Sequence, residues 1–179
     1  MRTIKIMNKN FIIYAIMFVV LVLVQALLLN HIVLFNCSIC FIFIYFLIKL
    51  PLGISNNALL SLAFCLGLSV DILSDTAGLN ALCCTILAIL KNPIFYAYEQ
   101  HDDHNRNIIP GLNPMGWLNF CKFLISMSAI YSFMAVTVEY AAFVDFLTIL
   151  IKTGASTAFT FALILATDTI FDKKQQSGY

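Results

Sequence analysis

Long apolar runs, separated by short polar stretches, follow one another along this chain of 179 residues. The runs do not alternate strictly between apolar and polar positions, so they predict helices rather than the strands of an outer-membrane barrel. A helix needs roughly 20 apolar residues to cross a bilayer. The pattern predicts an all-α bundle of six transmembrane helices in one membrane domain, 1–179, with spans at about 11–29, 37–50, 58–72, 79–98, 117–138 and 153–170.

The polar stretches predict the connections between these spans. Pro51 and Gly53 end the second span, because proline disfavours a helical residue before it. Lys91, Asn92 and Pro93 are expected to stop the helix of the fourth span after Leu90, before it resumes through Tyr98. Residues 99–114 form the most polar stretch, a predicted cytoplasmic loop, and residues 171–179 are a loose polar tail. Lys152 divides the last apolar run, so residues 143–152 are predicted to be partly interfacial.

The basic N-terminus followed by an apolar run resembles a signal peptide. However, the run from Phe11 to Leu29 is 19 residues long and no small-x-small cleavage site follows it. A retained first span is therefore predicted.

Composition agrees with a protein made almost entirely of membrane spans. Hydrophobic residues make up 61% of the chain and charged residues 11%, whereas soluble domains carry roughly 25% charged residues. The mean hydropathy is +0.94. These values leave no room for a sizeable soluble domain, and the net charge of +1 gives no basic field for nucleic acid.

The basic residues are distributed unevenly between the two sides of the predicted bundle. Nine of the ten lie on the side of the N-terminus, and Lys152 lies near the other side. The acids Asp71, Asp75, Glu139 and Asp145 lie on that other side. Cytoplasmic loops carry an excess of Lys and Arg, so both termini are predicted to be cytoplasmic.

Two acids, Asp71 and Asp75, occupy the turn between the third and fourth spans, and Gly78 follows them. Four residues apart, they would share one face of a continuing helix and could bind a divalent cation. The favoured interpretation is structural: Asp71 ends span three, and Asp75 or Thr76 caps span four. A polar contact with Lys152 is a further alternative. Under the structural interpretation, the protein should tolerate loss of either charge better than a change in the backbone geometry of the turn.

Other potential metal or catalytic residues receive structural interpretations. Cys37 and Cys40 form a C-x-x-C without a second ligand pair, and free cysteine in an apolar run packs as a small hydrophobe. The segment His101–His104 lies in the polar loop and is predicted to be a solvent-exposed connection. No nucleotide-binding, hydrolase or metalloprotease motif is present. The protein is predicted to be no enzyme and to bind no metal or cofactor.

Small residues recur every four positions along the sixth span. Such a row lets two helix backbones approach closely in lipid, where apolar burial gives no drive to association. The row therefore predicts a packing face, either within the bundle or against another protein; its members are Gly154, Ala158, Ala162 and Ala166.

Three ordered segments resemble the rod shape-determining protein MreD family. They are QALLLNHIVLF (25–35), YFLIKLP (45–51) and FCLGLSVDILSDTAGLNA (64–81). The family pattern is an apolar helix ending in L-G-L-x-x-D, a turn with glycine, and a second apolar helix. Here Gly67, Asp71 and Gly78 match it. The resemblance covers residues 11–95, and the last two spans match in hydropathy only.

The resemblance implies a non-catalytic scaffold of the cell-elongation machinery in the bacterial inner membrane. Its expected partners are membrane lipids and a single-span MreC-like protein, and through them an MreB-like filament and the wall synthases. The implied fold is similar to the substrate-binding subunit of energy-coupling-factor transporters. A vitamin-binding subunit of that kind is the alternative, and a membrane phosphotransferase using Asp71 and Asp75 is a third hypothesis.

Overall fold

The computed structural model describes residues 2–27, 40–98, 109–111, 115–140 and 146–176, with side chains for 12–27, 40–98, 109–111, 115–139 and 146–169. Six helices occupy these ranges: α1 (Arg2–Leu27), α2 (Ile44–Lys49), α3 (Asn56–Ser74), α4 (Leu79–Tyr98), α5 (Trp117–Tyr140) and α6 (Phe146–Gln176). The prediction of an all-α protein is confirmed. By length and composition α3, α4, α5 and α6 can each cross a membrane, and α1 contains a shorter apolar helix, Ile12–Leu27.

The second predicted span does not form one long helix in the described residues. Only Ile44–Lys49 is helical, about 9 Å at 1.5 Å per residue, and the chain from Cys40 to Phe43 is irregular. Nearly all of residues 40–50 is buried. Irregular backbone is tolerated at membrane depth where protein surrounds it, so this segment depends on its neighbours for its hydrogen bonds. Residues 37–39 lie outside the described residues.

Most other helix boundaries agree with the pattern of apolar runs. Helix α4 covers Leu79–Tyr98, the outer bounds predicted for the fourth span, but the predicted stop after Leu90 was wrong, because the helix continues through Pro93. Helix α6 differs, because it is continuous from Phe146 to Gln176. Lys152 therefore does not separate an interfacial stretch from the span, and most of the predicted loose tail is helical. The predicted loop at 99–114 lies outside the described residues except for 109–111.

The long helices pack in chain order, α3 along α4, α4 against α5 and α5 against α6, while α1 lies against α3. Residues 40–50 belong to the buried core, where the rings of Phe41 and Phe43 pack on Tyr131 of α5. The outer surface is apolar: Ile72, Leu118 and Phe146 are each more than 70% exposed. A membrane protein presents such side chains to lipid.

Candidate functional site

The acidic turn joins α3 to α4 through two residues with left-handed backbone. Asp75, at φ 54°, ends α3, and its N–H donates to the carbonyl of Asp71. Gly78 has φ 81°, a conformation that glycine adopts without steric cost, and α4 begins at the next residue. The predicted turn is therefore present, and its direction depends on these two residues.

The Asp71 carboxylate caps α4, although it belongs to α3. It is 2% exposed. Its Oδ1 accepts hydrogen bonds from the Asn80 backbone N–H (3.0 Å), the Asn80 side-chain amide (2.9 Å) and the Thr76 hydroxyl, and its Oδ2 accepts one from the Ala81 N–H (2.8 Å). First-turn N–H groups of a helix have no partner within the helix, so a carboxylate satisfies them well. The prediction that Asp75 or Thr76 is the cap was wrong.

Gly67 brings the two helices together one turn before Asp71. A Cβ atom at Gly67 would lie 2.5 Å from the Ala81 Cα and 2.6 Å from its nitrogen, and it would also collide with the Asn80 carbonyl oxygen. Residues four apart share a helix face. Gly67 and Asp71 therefore act together: the first allows contact with the start of α4, and the second supplies its cap.

The network continues from the turn into α5. The Tyr131 hydroxyl donates to the Asn80 side-chain oxygen at 2.6 Å. Tyr131 is completely buried, with the rings of Phe41 and Phe43 at 4.8 and 5.6 Å in edge-to-face arrangements. Asn80 and Tyr131 were not predicted as site residues. An amide at the start of an apolar helix was the available signal for Asn80.

The two acids of the turn do not form a joint site. Asp71 is buried and accepts four hydrogen bonds, whereas Asp75 is exposed. Within the described ranges, no group of three or more His, Cys, Asp and Glu residues is placed to hold a metal ion. Cys40 is a free, buried thiol. Cys37 and His101–His104 lie outside the described residues.

A second polar network lies at the other end of the bundle, where α2 ends. Asp168 of α6 is completely buried, forms a salt bridge with Lys49, and accepts a hydrogen bond from the Tyr45 hydroxyl at 2.9 Å. Lys91 of α4 is also completely buried, and its ammonium group donates to the Leu50 carbonyl. Lys49 and Lys91 were not predicted as site residues, and neither was Asp168. A carboxylate inside an apolar run was the signal that could have found it.

The start of the buried segment is held by side chains from α1 and α6. The Gln25 amide donates to the Cys40 carbonyl at 2.8 Å and accepts from the Ile42 N–H at 3.1 Å. The Phe41 N–H donates to the Thr160 hydroxyl at 3.2 Å. These bonds replace those that a continuous helix would make internally, so the irregular backbone of this segment depends on Gln25 and Thr160.

The small-residue row of α6 faces away from the bundle. Its four members are exposed, and beyond the backbone of α6 itself no described atom lies within 4 Å of a Cβ placed on Gly154. The opposite row of α6 is buried and mostly polar: Ser156, Thr160, Ile164 and Asp168. None of the described residues outside α6 therefore covers the predicted packing face.

No protein-family model, curated protein or solved structure matches this chain. The family resemblance of the three ordered segments therefore stays a prediction.

Proposed function

We propose that this chain is a non-catalytic scaffold of the bacterial cell-elongation machinery, as its resemblance to MreD implies. The observation that carries the proposal is the L-G-L-x-x-D motif with Gly78 after it. Gly67 lets the backbones meet, and the Asp71 carboxylate is occupied by four donors of the turn. A carboxylate used in this way has little capacity left for a substrate or a cation, which supports a structural motif rather than a reacting one.

The proposed partner is an MreC-like single-span protein that binds within the membrane, and through it an MreB-like filament is coupled to the wall synthases. The small-residue row of α6 is the proposed contact, because small side chains let a second helix approach closely in lipid. Its exposure on the described surface supports this role. The function requires no cofactor and no nucleic acid.

The proposed location is the inner membrane, with six crossings and both termini in the cytoplasm. The two polar networks support this orientation. The network with Lys49 and Lys91 lies at the end predicted to be cytoplasmic, and the turn with Asp71 and Asp75 lies at the opposite end. Basic residues are retained on the cytoplasmic side of membrane proteins.

Depletion of the protein in its own rod-shaped host tests the proposed function. We expect the cells to round or swell before peptidoglycan precursor synthesis falls. Purification in mild detergent should bring down a single-span protein with a large external part. Normal cell shape on depletion, together with tight retention of a vitamin by the purified protein, would overturn the scaffold function in favour of a vitamin-binding transporter subunit.

Ala162→Leu should weaken partner binding without unfolding the protein. Ala162 is exposed, so a larger side chain would project from the described bundle and would hold a docked helix away. We expect at least about a tenfold loss of co-purified partner at unchanged protein level. Leu163→Ala, one position along on a half-buried site, is the control and should keep the partner. Full recovery of partner with Ala162→Leu would mean that this face contacts lipid.

A further inference from the structure

Helix α6 is the least buried of the four long helices. In its most apolar stretch of 18 residues 17% are buried, against 33%, 39% and 44% in α3, α4 and α5. Its main neighbour among the helices is α5. In lipid, apolar side chains gain little from facing protein rather than lipid tails. Apolar contacts therefore leave the rotation of α6 about its own axis weakly determined, and polar contacts are needed to fix it.

Two polar residues on one side of α6 reach across to the segment that contains α2. The Thr160 hydroxyl accepts a hydrogen bond from the Phe41 N–H at 3.2 Å. Asp168 forms a salt bridge with Lys49 and accepts a hydrogen bond from the Tyr45 hydroxyl at 2.9 Å. Eight residues separate Thr160 from Asp168, about 80° around a helix, so both contacts hold the same side of α6 towards the core.

Asp168 is the stronger of these two anchors, because its own helix offers it no alternative. A hydroxyl can donate to a carbonyl about one turn back, as Thr157, Thr167 and Thr169 do on α6, and Thr160 can do so in any orientation. A carboxylate only accepts hydrogen bonds, so the carbonyl groups of a helix cannot satisfy it. Asp168 is completely buried, and turned towards lipid it would be an unpaired charge, which is costly.

The Lys49 ammonium group that pairs with Asp168 is itself held against α5. Its Nζ lies 5.6 Å from the centre of the Phe120 ring of α5 and 5.7 Å from the centre of the Tyr45 ring. A cation is attracted to the face of an aromatic ring at such distances. The ion pair therefore holds Asp168 close to Phe120, which relates the rotation of α6 to α5.

We propose that Asp168 is a positioning residue: its pairing with Lys49 sets the rotation of α6, and so the direction in which the small-residue row faces. The row lies on the opposite side of α6 from Asp168 and is exposed. The consequence for partner binding rests on the proposed function, whereas the rotation itself does not. A partner on this row would depend on an aspartate that it does not touch.

Carbene footprinting with a lipid-soluble diazirine measures the rotation of α6. The full chain is reconstituted in liposomes and irradiated, and fragmentation mass spectrometry locates the labelled residues. In the parent we expect Ala162 to be labelled and Ile164, which is completely buried, to be protected. Asp168→Asn should lower the ratio of Ala162 to Ile164 labelling at least about threefold, because it leaves Lys49 without its carboxylate.

Two variants and a second helix serve as controls. Asp75→Asn changes an exposed acid at the opposite end of the bundle, so the ratio should stay that of the parent. Lys49→Asp combined with Asp168→Lys exchanges the two charges and should recover about half or more of the lost ratio, since the pairing is kept. On α4, Ile89 is exposed and Leu87 is completely buried, so the contrast between them reports the packing of the other helices.

An unchanged ratio with Asp168→Asn would overturn the positioning role, as would no recovery with the exchanged charges. Loss of the α4 contrast with Asp168→Asn would also overturn it, because the residue would then hold the whole bundle rather than α6.

Co-purification of the single-span partner tests the consequence separately. It should fall at least about tenfold with Asp168→Asn, as with a change in the row itself. A turned α6 with full recovery of the partner would support the positioning role and contradict the proposed docking on the small-residue row. Loss of the partner with an unchanged footprint would overturn the positioning role.

Discussion

Gly67→Ala is expected to cost about 3 kcal/mol of folding stability, at the upper end of what overpacking costs. The added methyl group would lie within 2.6 Å of the Ala81 backbone, and backbone cannot move aside as a flexible side chain can. The start of α4 would have to shift away from α3, and the Asp71 cap would shift with it. Unfolding of the purified protein in detergent, induced by heat or by denaturing surfactant, measures the loss.

Gly154→Ala is the matched control for this experiment. It makes the same change inside a helix, but no atom lies within 4 Å of the new Cβ. Alanine is preferred over glycine in a helix interior by up to about 1 kcal/mol, so this variant should be as stable as the parent or slightly more stable. Equal behaviour of the two variants would contradict the close contact at Gly67.

Asp71→Asn should be the second most damaging substitution, with a loss of about 3 kcal/mol. Both carboxylate oxygens of Asp71 accept hydrogen bonds, four in all. Asparagine replaces one of these oxygens with an NH₂ group, which cannot accept a hydrogen bond from the N–H or O–H groups that it then faces. That leaves a buried donor of α4 without an acceptor. We expect weaker resistance to surfactant and a lower amount of inserted protein.

Asp75→Asn tests whether the damage belongs to Asp71 or to any acid of the turn. Asp75 is exposed, and its backbone has the left-handed conformation, which asparagine adopts readily. Its stability should remain within about 0.5 kcal/mol of the parent. The sequence predicts that loss of either charge is tolerated better than a change in turn geometry. The structure distinguishes the two acids, because Asp71 is buried and Asp75 is exposed. A large loss with Asp75→Asn and none with Asp71→Asn would reverse this assignment.

The pattern of apolar runs was sufficient for much of the fold. Helices cross a bilayer only if their backbones are satisfied within the segment, so runs of this length fix where the long helices lie. The start of α4 at Leu79 was predicted, and the turn before it was predicted from Asp71, Asp75 and Gly78. The length of an apolar run and the residues of a turn are local properties, so they can be recognised in the sequence alone.

The partner of Asp71 could not be read from the sequence in the same way. Capping patterns place the cap just before the first helical turn, and Asp75 and Thr76 were the nearest side chains of the capping type ahead of Leu79. In the structure the left-handed residues Asp75 and Gly78 fold the chain back, so that a carboxylate of the preceding helix reaches Asn80 and Ala81. The backbone path of the turn decided which acid became the cap.

On α6 the sequence determined two rows of residues, and the tertiary structure decided which row faces inward. Ala158 and Thr160 are two residues apart, about 200° around a helix, so their rows lie on opposite sides. The polar row faces inward because lipid offers no hydrogen bonds, and there Thr160 and Asp168 meet a segment distant in sequence. For the same reason the second span is a buried segment with an irregular start and one short helix: its sequence is apolar enough for a longer helix in lipid, and contacts with Gln25, Thr160, Lys91 and Asp168 help to hold it in the core.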